Sequence, residues 1–179
     1  MSEDPVRLKT YCVDVGSVPR KKFAWARVPE EAATQKRNDI RALAGDLAKH
    51  LTEGLPVALG FEAPMFVPVP SEDGELGTQR PFEIGRPWSA GAGVAALGSG
   101  IVQAGWILRE IHDRAAPPPA TFLDWNEFRN AGSGLFLWEA LVSHKTGKTD
   151  DYRDALAGAR KFHEDGWREW THLRLAPWI

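Results

Sequence analysis

Apolar residues follow two different periods along the first third of the chain. They alternate or run together in TYCVDV and in KFAWARV, two stretches rich in β-branched and aromatic residues that are typical of strands. A basic, proline-containing turn over residues 18–22 separates them, so we predict a β-hairpin. Between Ile40 and Leu51 the apolar residues recur at intervals of three and four, which indicates a helix with one apolar face.

The predicted helix leads directly into a different kind of strand. Asn38 is placed to cap the start of the helix and Gly54 to end it. The near-continuous apolar run LPVALGFEAPMFVPVP, which begins at Leu55, is expected for a strand that is covered on both faces. A strand, a helix and a buried strand in this order favour an α/β fold.

The rest of the chain alternates loops, helices and short apolar runs. Residues 68–90 are rich in proline, glycine and polar residues and predict a long loop. A second helix is expected from about Val94 to Asp113, and a last one from about Asp151 to Trp170. Two apolar runs between these helices, TFLDW and SGLFLWEAL, are interpreted as strands.

Composition narrows the class of protein. The 179 residues are 43% hydrophobic and 26% charged and carry a formal net charge of −2. We interpret them as a single domain with a core over about 8–165 and a tail over 166–179. The tail is rich in tryptophan and suggests a docking surface or a homodimer contact. The near-neutral charge argues against a protein that coats duplex DNA by charge alone.

Cysteine usage and hydropathy indicate the compartment. Cys12 is the only cysteine, which excludes an internal disulfide and fits a reducing cytosol. No apolar run approaches the roughly 20 residues that span a bilayer. The start of the chain, MSEDPVRLK, lacks the apolar middle of a signal peptide. We therefore expect a cytoplasmic protein without a membrane partner.

Carboxylates stand at the ends of the apolar runs. Asp14 and Glu62 each close such a run and are followed by a turn former, and Glu139 repeats the pattern after LFLW. In open α/β sheets, ligands gather at the carboxyl ends of the strands. A buried carboxylate needs an ion or a basic partner, and oxygen clusters suit Mg²⁺ or Mn²⁺. Capping of a nearby element, or pairing with an arginine, is the alternative for each residue.

The start of the last predicted helix adds further acidic residues. Asp150 and Asp151 are explained by capping and by the helix dipole without any chemistry. Asp154 lies one turn further on, next to small residues suited to close packing, and could point back over the strand ends. Asp154 is therefore favoured as a third site residue, and Asp151 is the weaker candidate.

Basic residues flank the predicted acidic site. Arg20 and Lys21 lie in the hairpin turn, and Lys145 lies in the turn before the last helix. If the acidic site is real, these cations are placed to hold a phosphate backbone. Simple exposure to solvent is the alternative. His144, next to Lys145, is interpreted as a loop residue rather than as a general base.

Common nucleotide-binding and nucleophile motifs do not apply. GAGVAA, residues 91–96, matches the loose dinucleotide pattern G-x-G-x-x-G/A, but no strand directly precedes it. The phosphate loop G-x-x-x-x-G-K-[ST] and the nucleophile motif G-x-S-x-G are absent from the sequence. No two histidines have the helical metal spacing H-x-x-x-H.

Four short motifs give the chain a resemblance to a known superfamily. They are VDVGS (13–17), GFEAP (60–64), LWEAL (137–141) and DDYRDALAGA (150–159). In this order they resemble the ribonuclease H-like superfamily, and most closely a poorly characterised group of predicted nucleases within it.

The resemblance implies a mixed β-sheet flanked by α-helices and a site for two divalent ions, Mg²⁺ or Mn²⁺. Asp14 and Glu62 would be the core ligands and Asp154 the helix-borne one, with Glu139 and Asp151 as additions. The implied activity is metal-dependent phosphodiester hydrolysis, with nucleic acid as the partner. A non-catalytic binding or assembly module and an actin-like nucleotide-binding domain share this fold and are the alternatives.

Overall fold

The computed structural model describes residues 7–30, 37–67, 69–80, 83, 87–140 and 151–169, with side chains up to residue 164 in the last range. Within these residues the chain forms five strands and four α-helices. The strands are β1 Lys9–Asp14, β2 Ala24–Val28, β3 Pro56–Phe61, β4 Thr121–Phe122 and β5 Gly134–Glu139. The helices are α1 Ile40–Thr52, α2 Gly91–Arg114, α3 Trp125–Ala131 and α4 Asp151–Glu169, and a 3₁₀ turn lies at Asp73–Glu75.

The strands form one mixed sheet in the order β2-β1-β3-β5-β4. β1 and β2 are antiparallel, with Cys12 opposite Ala26, whereas β3 runs parallel to both β1 and β5. β4 is a two-residue edge strand that runs parallel to β5. The predicted hairpin, the strand after the first helix and the α/β fold class are therefore confirmed.

One face of the sheet is covered by α1 and α2. Tyr11 and Val13 of β1 are buried there with Leu43 and Leu47 of α1 and with Ile107 of α2. The apolar stripe predicted for the first helix is the surface that packs on the sheet.

The opposite face is covered by α3 and α4. Cys12 and Phe136 from the strands join a second buried cluster with Trp125 of α3 and with Ala159 and Phe162 of α4. Successive side chains of a strand alternate between the two faces. Positions 10, 12 and 14 of β1 therefore face α4, and positions 11 and 13 face α1.

Three element boundaries differ from the sequence-based predictions. α1 is capped by Asp39 and not by Asn38, because the Asp39 carboxylate accepts the N–H groups that begin the helix. β3 ends at Phe61, well before the end of the apolar run that predicted it. α2 begins at Gly91, one turn before Val94.

A short helix, α3, was not predicted. The run TFLDW was interpreted as a strand, but its first two residues alone pair with β5. Asp124 then caps α3 and accepts the N–H of Glu127 at 2.9 Å. An Asp followed three residues later by Glu is a signature of a helix start, and it outweighed the short apolar run.

α2 is unusually long and apolar. By length and composition alone it would qualify as a membrane-spanning helix, and it is the one such helix in the described ranges. Core helices of soluble proteins that meet the same criteria are mostly buried, whereas 17% of the apolar window in α2 is buried. The absence of a membrane partner therefore stays a prediction.

Some predictions concern parts of the chain outside the described residues. These are the turn with His144 and Lys145 and the side chains of Trp167, Trp170 and Trp178. The role of Lys145 in substrate binding thus stays a prediction. The same holds for the role of the tail in homodimer formation.

Candidate functional site

Asp14 and Glu62 lie side by side at the carboxyl ends of two parallel strands. Asp14 is the last residue of β1, and Glu62 directly follows β3. The register pairs Val13 with Phe61, and the Glu62 N–H donates a hydrogen bond to the Val13 carbonyl at 2.8 Å. One further step along both strands sets Asp14 beside Glu62. The sheet thus brings together two of the three residues that the sequence favoured.

Both carboxylates lie near Cys12, on the face that α4 covers. Asp14 is two residues beyond Cys12 on the same strand and so points to the same face. Burial raises the pKa of the Cys12 thiol, and the negative charges of Glu62 and Asp14 raise it further. Glu62 lies at the same end of the sheet as Asp14, since it follows Phe61, the register partner of Val13. Asp14 itself is 6% exposed, so its charge is largely removed from water.

An aromatic stack lies next to the acidic pair. A Cβ atom at Gly60 would stand 2.4 Å from Cε2 of Trp138, so glycine is the residue that leaves room for this indole. The Trp138 ring stacks on Phe162 of α4, with ring centroids 4.2 Å apart and an interplanar angle of 19°. This stack packs α4 on the sheet beside β3, the strand that precedes Glu62.

Two contacts show that α4 runs antiparallel to β1: His163 meets Thr10 at the start of the strand, and Asp151 lines a cavity with Ala24, the register partner of Asp14. Thr10 is hydrogen-bonded to His163, with 3.1 Å between Oγ1 and Nδ1. From Thr10 to Asp14 the strand advances by about 13 Å, which corresponds to about nine residues of helix. Counting back from His163 leads to Asp154, which is half-buried, as is Asp151 in the same turn.

These residues match a hard divalent cation in the kind of ligand they offer. Asp14, Glu62 and Asp154 present carboxylate oxygens, which Mg²⁺ and Mn²⁺ prefer. Within the described ranges, however, no three Asp, Glu, His or Cys side chains are grouped closely enough to hold a metal ion. An ion would first bind the Asp14–Glu62 pair, and Asp154 would have to turn toward it.

Glu139 lies on the other face of the sheet. Its neighbours in β5 alternate, with Leu137 packed against the α1–α2 cluster and Trp138 in the α3–α4 cluster, so Glu139 points toward the side of α1 and α2. Its Oε1 accepts the backbone N–H groups of Met65 and Phe66 at 2.7 and 3.0 Å. Glu139 therefore lies apart from Asp14 and Glu62. Its hydrogen bonds stabilise the segment that follows β3.

Arg80 completes the surroundings of Glu139. Its Nη1 donates to both Glu139 oxygens at 3.0 and 2.8 Å, and its Nη2 donates to Glu83 at 2.6 Å. Burial alone would lower the pKa of Arg80, but hydrogen bonds and charges from Glu83 and Glu139 outweigh burial and raise it. Glu139 thus has the arginine partner that was the alternative to a metal.

A cavity of about 320 Å³ lies between the hairpin turn, the residues before α1 and the first turn of α4. One wall residue, Ala24, is the register partner of Asp14 on the neighbouring strand. The lining residues are Lys21, Phe23, Ala24, Arg37, Asn38, Asp151 and Tyr152. Lys21, one of the predicted phosphate contacts, thus lies in this cavity, whereas Arg20 is an exposed neighbour in the same turn.

Arg37 is a cation of this cavity that the sequence did not reveal. Its guanidinium lies 3.8 Å from the centre of the Tyr152 ring, and its Nη2 is 3.7 Å from a carboxylate oxygen of Glu30. The Tyr152 hydroxyl donates to Glu30 at 2.7 Å. Burial, and then this hydrogen bond, raise the pKa of Tyr152 to about 12, so the phenol stays neutral at physiological pH. Lys21 and Arg37 give one side of the cavity a positive charge suited to phosphate.

No protein-family model matches the chain, and no curated protein or solved structure gives a significant match. A functional assignment therefore has to stand on the arrangement of these side chains.

Proposed function

We propose that the chain is a metal-dependent phosphodiester hydrolase of ribonuclease H-like fold that acts on nucleic acid. The observation that carries the proposal is the placement of Asp14 beside Glu62, on the face of the sheet that the acidic first turn of α4 covers. Asp14, Glu62 and Asp154 would hold the ion, and Asp151 is an additional candidate ligand.

The order of elements supports this proposal. An antiparallel hairpin, a helix and a strand parallel to the first strand of the hairpin are followed by a last helix that lies across the hairpin. These elements agree with the mixed β-sheet flanked by α-helices that the resemblance to ribonuclease H-like proteins implies. The order of elements also explains why acidic residues far apart in the chain belong to one region.

The charges of the site suit a cation and a phosphate side by side. Asp14 is largely buried next to Glu62, and a divalent ion would supply positive charge to both carboxylates. A divalent ion in such a site lowers the pKa of bound water and stabilises the leaving oxygen in phosphodiester hydrolysis. Lys21 and Arg37, which line the cavity, would bind the phosphate backbone and orient it toward the acidic pair.

The experiment is a cleavage assay on single- and double-stranded DNA and RNA with Mg²⁺ or Mn²⁺. Asp14→Asn and Glu62→Gln remove one charge each and keep the shape of the side chain, so both should reduce cleavage at least a hundredfold. Asp73→Asn, at an exposed position in the 3₁₀ turn, is the matched control and should cleave like the wild type. Equal cleavage by wild type, Asp14→Asn and Glu62→Gln would exclude the proposed site.

A second candidate function is a binding or assembly module that keeps the fold without catalysis. The observation in its favour is that the described carboxylates do not already form a group of three that could hold an ion. A thermal unfolding series with Mn²⁺ separates the two functions, because an ion that binds the folded state alone raises the melting temperature. A Mn²⁺-dependent rise that Asp14→Asn abolishes supports the hydrolase, and its absence supports the module.

A further inference from the structure

The outward side of α2 is an exposed apolar surface. Val94, Ile101 and Val102 are 49%, 50% and 71% exposed, although each is a residue that a monomer would normally bury. From Gly91 to Leu108 the helix contains no Asp, Glu, Lys or Arg. Isolated exposed apolar residues are common on proteins, but an uncharged row along several turns of one helix indicates a contact surface.

Glycines form a line along the middle of this surface. Gly91, Gly98 and Gly105 recur at every seventh position, which keeps them on one side of a helix. A Cβ atom at any of these three would meet nothing within 4 Å. Gly100 is different, since its Cβ atom would stand 3.0 Å from the Cβ of Ala63, on the side that packs inward. Internal packing thus accounts for Gly100 but not for the outward glycines, each of which weakens the helix by about 1 kcal/mol relative to alanine.

The surface is complementary to itself under a two-fold rotation. A two-fold axis through the midpoint between Gly98 and Ile101 would exchange these two positions between the copies. It would also place Val94 of one copy opposite Gly105 of the other. The same rotation relates Gly91 to Leu108. In an antiparallel pair of α2 helices centred on this midpoint, Val94, Ile101 and Leu108 of one copy would face Gly105, Gly98 and Gly91 of the other, and Val102 would face Leu97. Small residues opposite large ones let two helices approach closely and interlock.

We propose that α2 is a homodimer surface, on which a second copy of the chain docks its own α2 in the antiparallel direction. This contact is independent of the catalytic proposal, since α2 carries none of the candidate ligands. It also differs from the tail contact that the tryptophan-rich end predicts.

A second copy fits this surface better than a lipid bilayer does. Glycine contributes almost no apolar area to a lipid contact, and helices that lie on membranes usually carry lysine or arginine beside the apolar face. The first basic residue of α2 is Arg109, beyond the apolar row. In a lipid contact, glycines between the large apolar residues would only reduce the buried apolar area. Against an identical helix, the same glycines leave room for the large side chains of the partner.

The size of the surface sets the expected affinity. The segment from Gly91 to Leu108 is about 27 Å long and about 10 Å wide, so the helix pair covers about 270 Å² in projection. A typical stable interface buries about 800 Å² on each partner. Val67 and Val69, which are 46% and 66% exposed in the loop that follows β3, are candidates to extend the contact. Because the helix pair alone covers about a third of that area, we expect a reversible, concentration-dependent dimer rather than an obligate one.

The test is sedimentation velocity of the full chain over the micromolar concentration range. The wild type should shift reversibly from monomer to dimer. Gly98→Glu should remain monomeric at every concentration, since the added side chain meets a like charge across the two-fold axis. Its melting temperature should be no lower than that of the monomeric wild type, because the side chain meets open space within one copy and glutamate forms helices better than glycine. Gly74→Glu makes the same change at an exposed glycine with open space in the 3₁₀ turn and should dimerise normally. A wild type that is monomeric throughout, or a Gly98→Glu variant that still dimerises, would overturn the proposal, as would wild-type binding to lipid vesicles without a dimer.

Cysteine cross-linking tests the antiparallel direction, because native Cys12 is buried. In the proposed pair, the two copies of residue 101 are about 4.5 Å apart along the helix axis, whereas the two copies of residue 94 are about 16 Å apart. A disulfide requires Cβ atoms about 4 Å apart. Ile101→Cys should therefore form a cross-linked dimer on mild oxidation, and Val94→Cys should not. Efficient cross-linking of both variants would indicate a parallel pair and contradict the proposal.

Discussion

Thr10 and His163 are joined by a side-chain hydrogen bond between the start of β1 and the later part of α4, with 3.1 Å between Oγ1 and Nδ1. Thr10 is completely buried and His163 is half-buried. This contact holds the later part of α4 at the start of β1. The first turn of α4 lies toward the other end of the strand, where Asp151 lines a cavity with Ala24, the register partner of Asp14.

Thr10→Val should weaken this attachment without changing the size of the side chain. The loss of one buried hydrogen bond lowers the free energy of unfolding by about 1 kcal/mol, measured by urea denaturation. Thr121→Val makes the same change at an exposed position of the edge strand β4 and should leave stability nearly unchanged. If Thr10→Val were as stable as the wild type, the Thr10–His163 bond would not be holding α4 in place.

Gly60→Ala should be destabilising although alanine is only one carbon larger. Its Cβ atom would stand 2.4 Å from the Trp138 indole, which is also stacked on Phe162, so the ring cannot move without disturbing α4. We expect a loss of about 1–3 kcal/mol in the free energy of unfolding, together with a change in tryptophan fluorescence. Gly74→Ala, at a glycine with open space around it, is the control and should show neither effect. A fully stable Gly60→Ala protein would contradict the packing of Trp138 over β3.

Stability should fall as the pH drops below about 6.5, because His50 is buried in its neutral form. Burial lowers the pKa of His50, whose Nδ1 is 2.6 Å from the Tyr11 hydroxyl oxygen, and burial likewise lowers the pKa of His163. Both groups bind a proton more tightly in the unfolded chain, so the free energy of unfolding decreases as pH falls through the unfolded-state pKa.

Urea denaturation between about pH 7.5 and about pH 5.5 measures this dependence. His50→Gln should flatten it, since one of the two responsible groups is removed. His112→Gln changes a histidine whose side chain is 70% exposed and should retain the wild-type slope. Identical slopes in all three proteins would show that His50 titrates alike in the folded and unfolded states.

Glu139→Gln should affect stability and leave metal binding intact. The amide still accepts the N–H groups of Met65 and Phe66, but Arg80 loses one of its two carboxylate partners and keeps Glu83. The weaker partner at Arg80 should lower the free energy of unfolding by about 1–3 kcal/mol. Isothermal titration with Mn²⁺ provides the second measurement. A loss of Mn²⁺ affinity as large as that of Glu62→Gln would return Glu139 to the ligand set.

The sequence predicted those parts of the fold that depend on local pattern. The period of three and four in α1 and the buried run that became β3 identified their elements correctly. Asp14 and Glu62 were found because each interrupts an apolar run at its end, and parallel strands bring such ends together. α3 was missed because it is only seven residues long and the sequence marks it mainly by its capping residue, Asp124. The adjoining apolar residues, which form the two-residue strand β4, led to the prediction of a strand instead.

The remaining features depend on contacts between distant parts of the chain. Glu139 has the same local pattern as Glu62, but its partner Arg80 lies 59 residues earlier in a loop without periodicity. Glu139 directly follows Trp138 in β5, so the two side chains point to opposite faces of the sheet. Which face Glu139 occupies becomes evident only when the register of the sheet is known. Arg37 gave no signal of its own, since its place in the cavity depends on Tyr152 in α4.

The most direct test of the central claim is anomalous diffraction at the manganese edge from crystals of the full chain soaked in Mn²⁺. The proposed function predicts a peak within coordination distance of carboxylate oxygens of both Asp14 and Glu62, with Asp154 turned toward it, and no peak in crystals of Asp14→Asn. A wild-type crystal without a peak between Asp14 and Glu62, at a Mn²⁺ concentration that saturates any effect on melting temperature, would contradict the claim that these residues form a metal site.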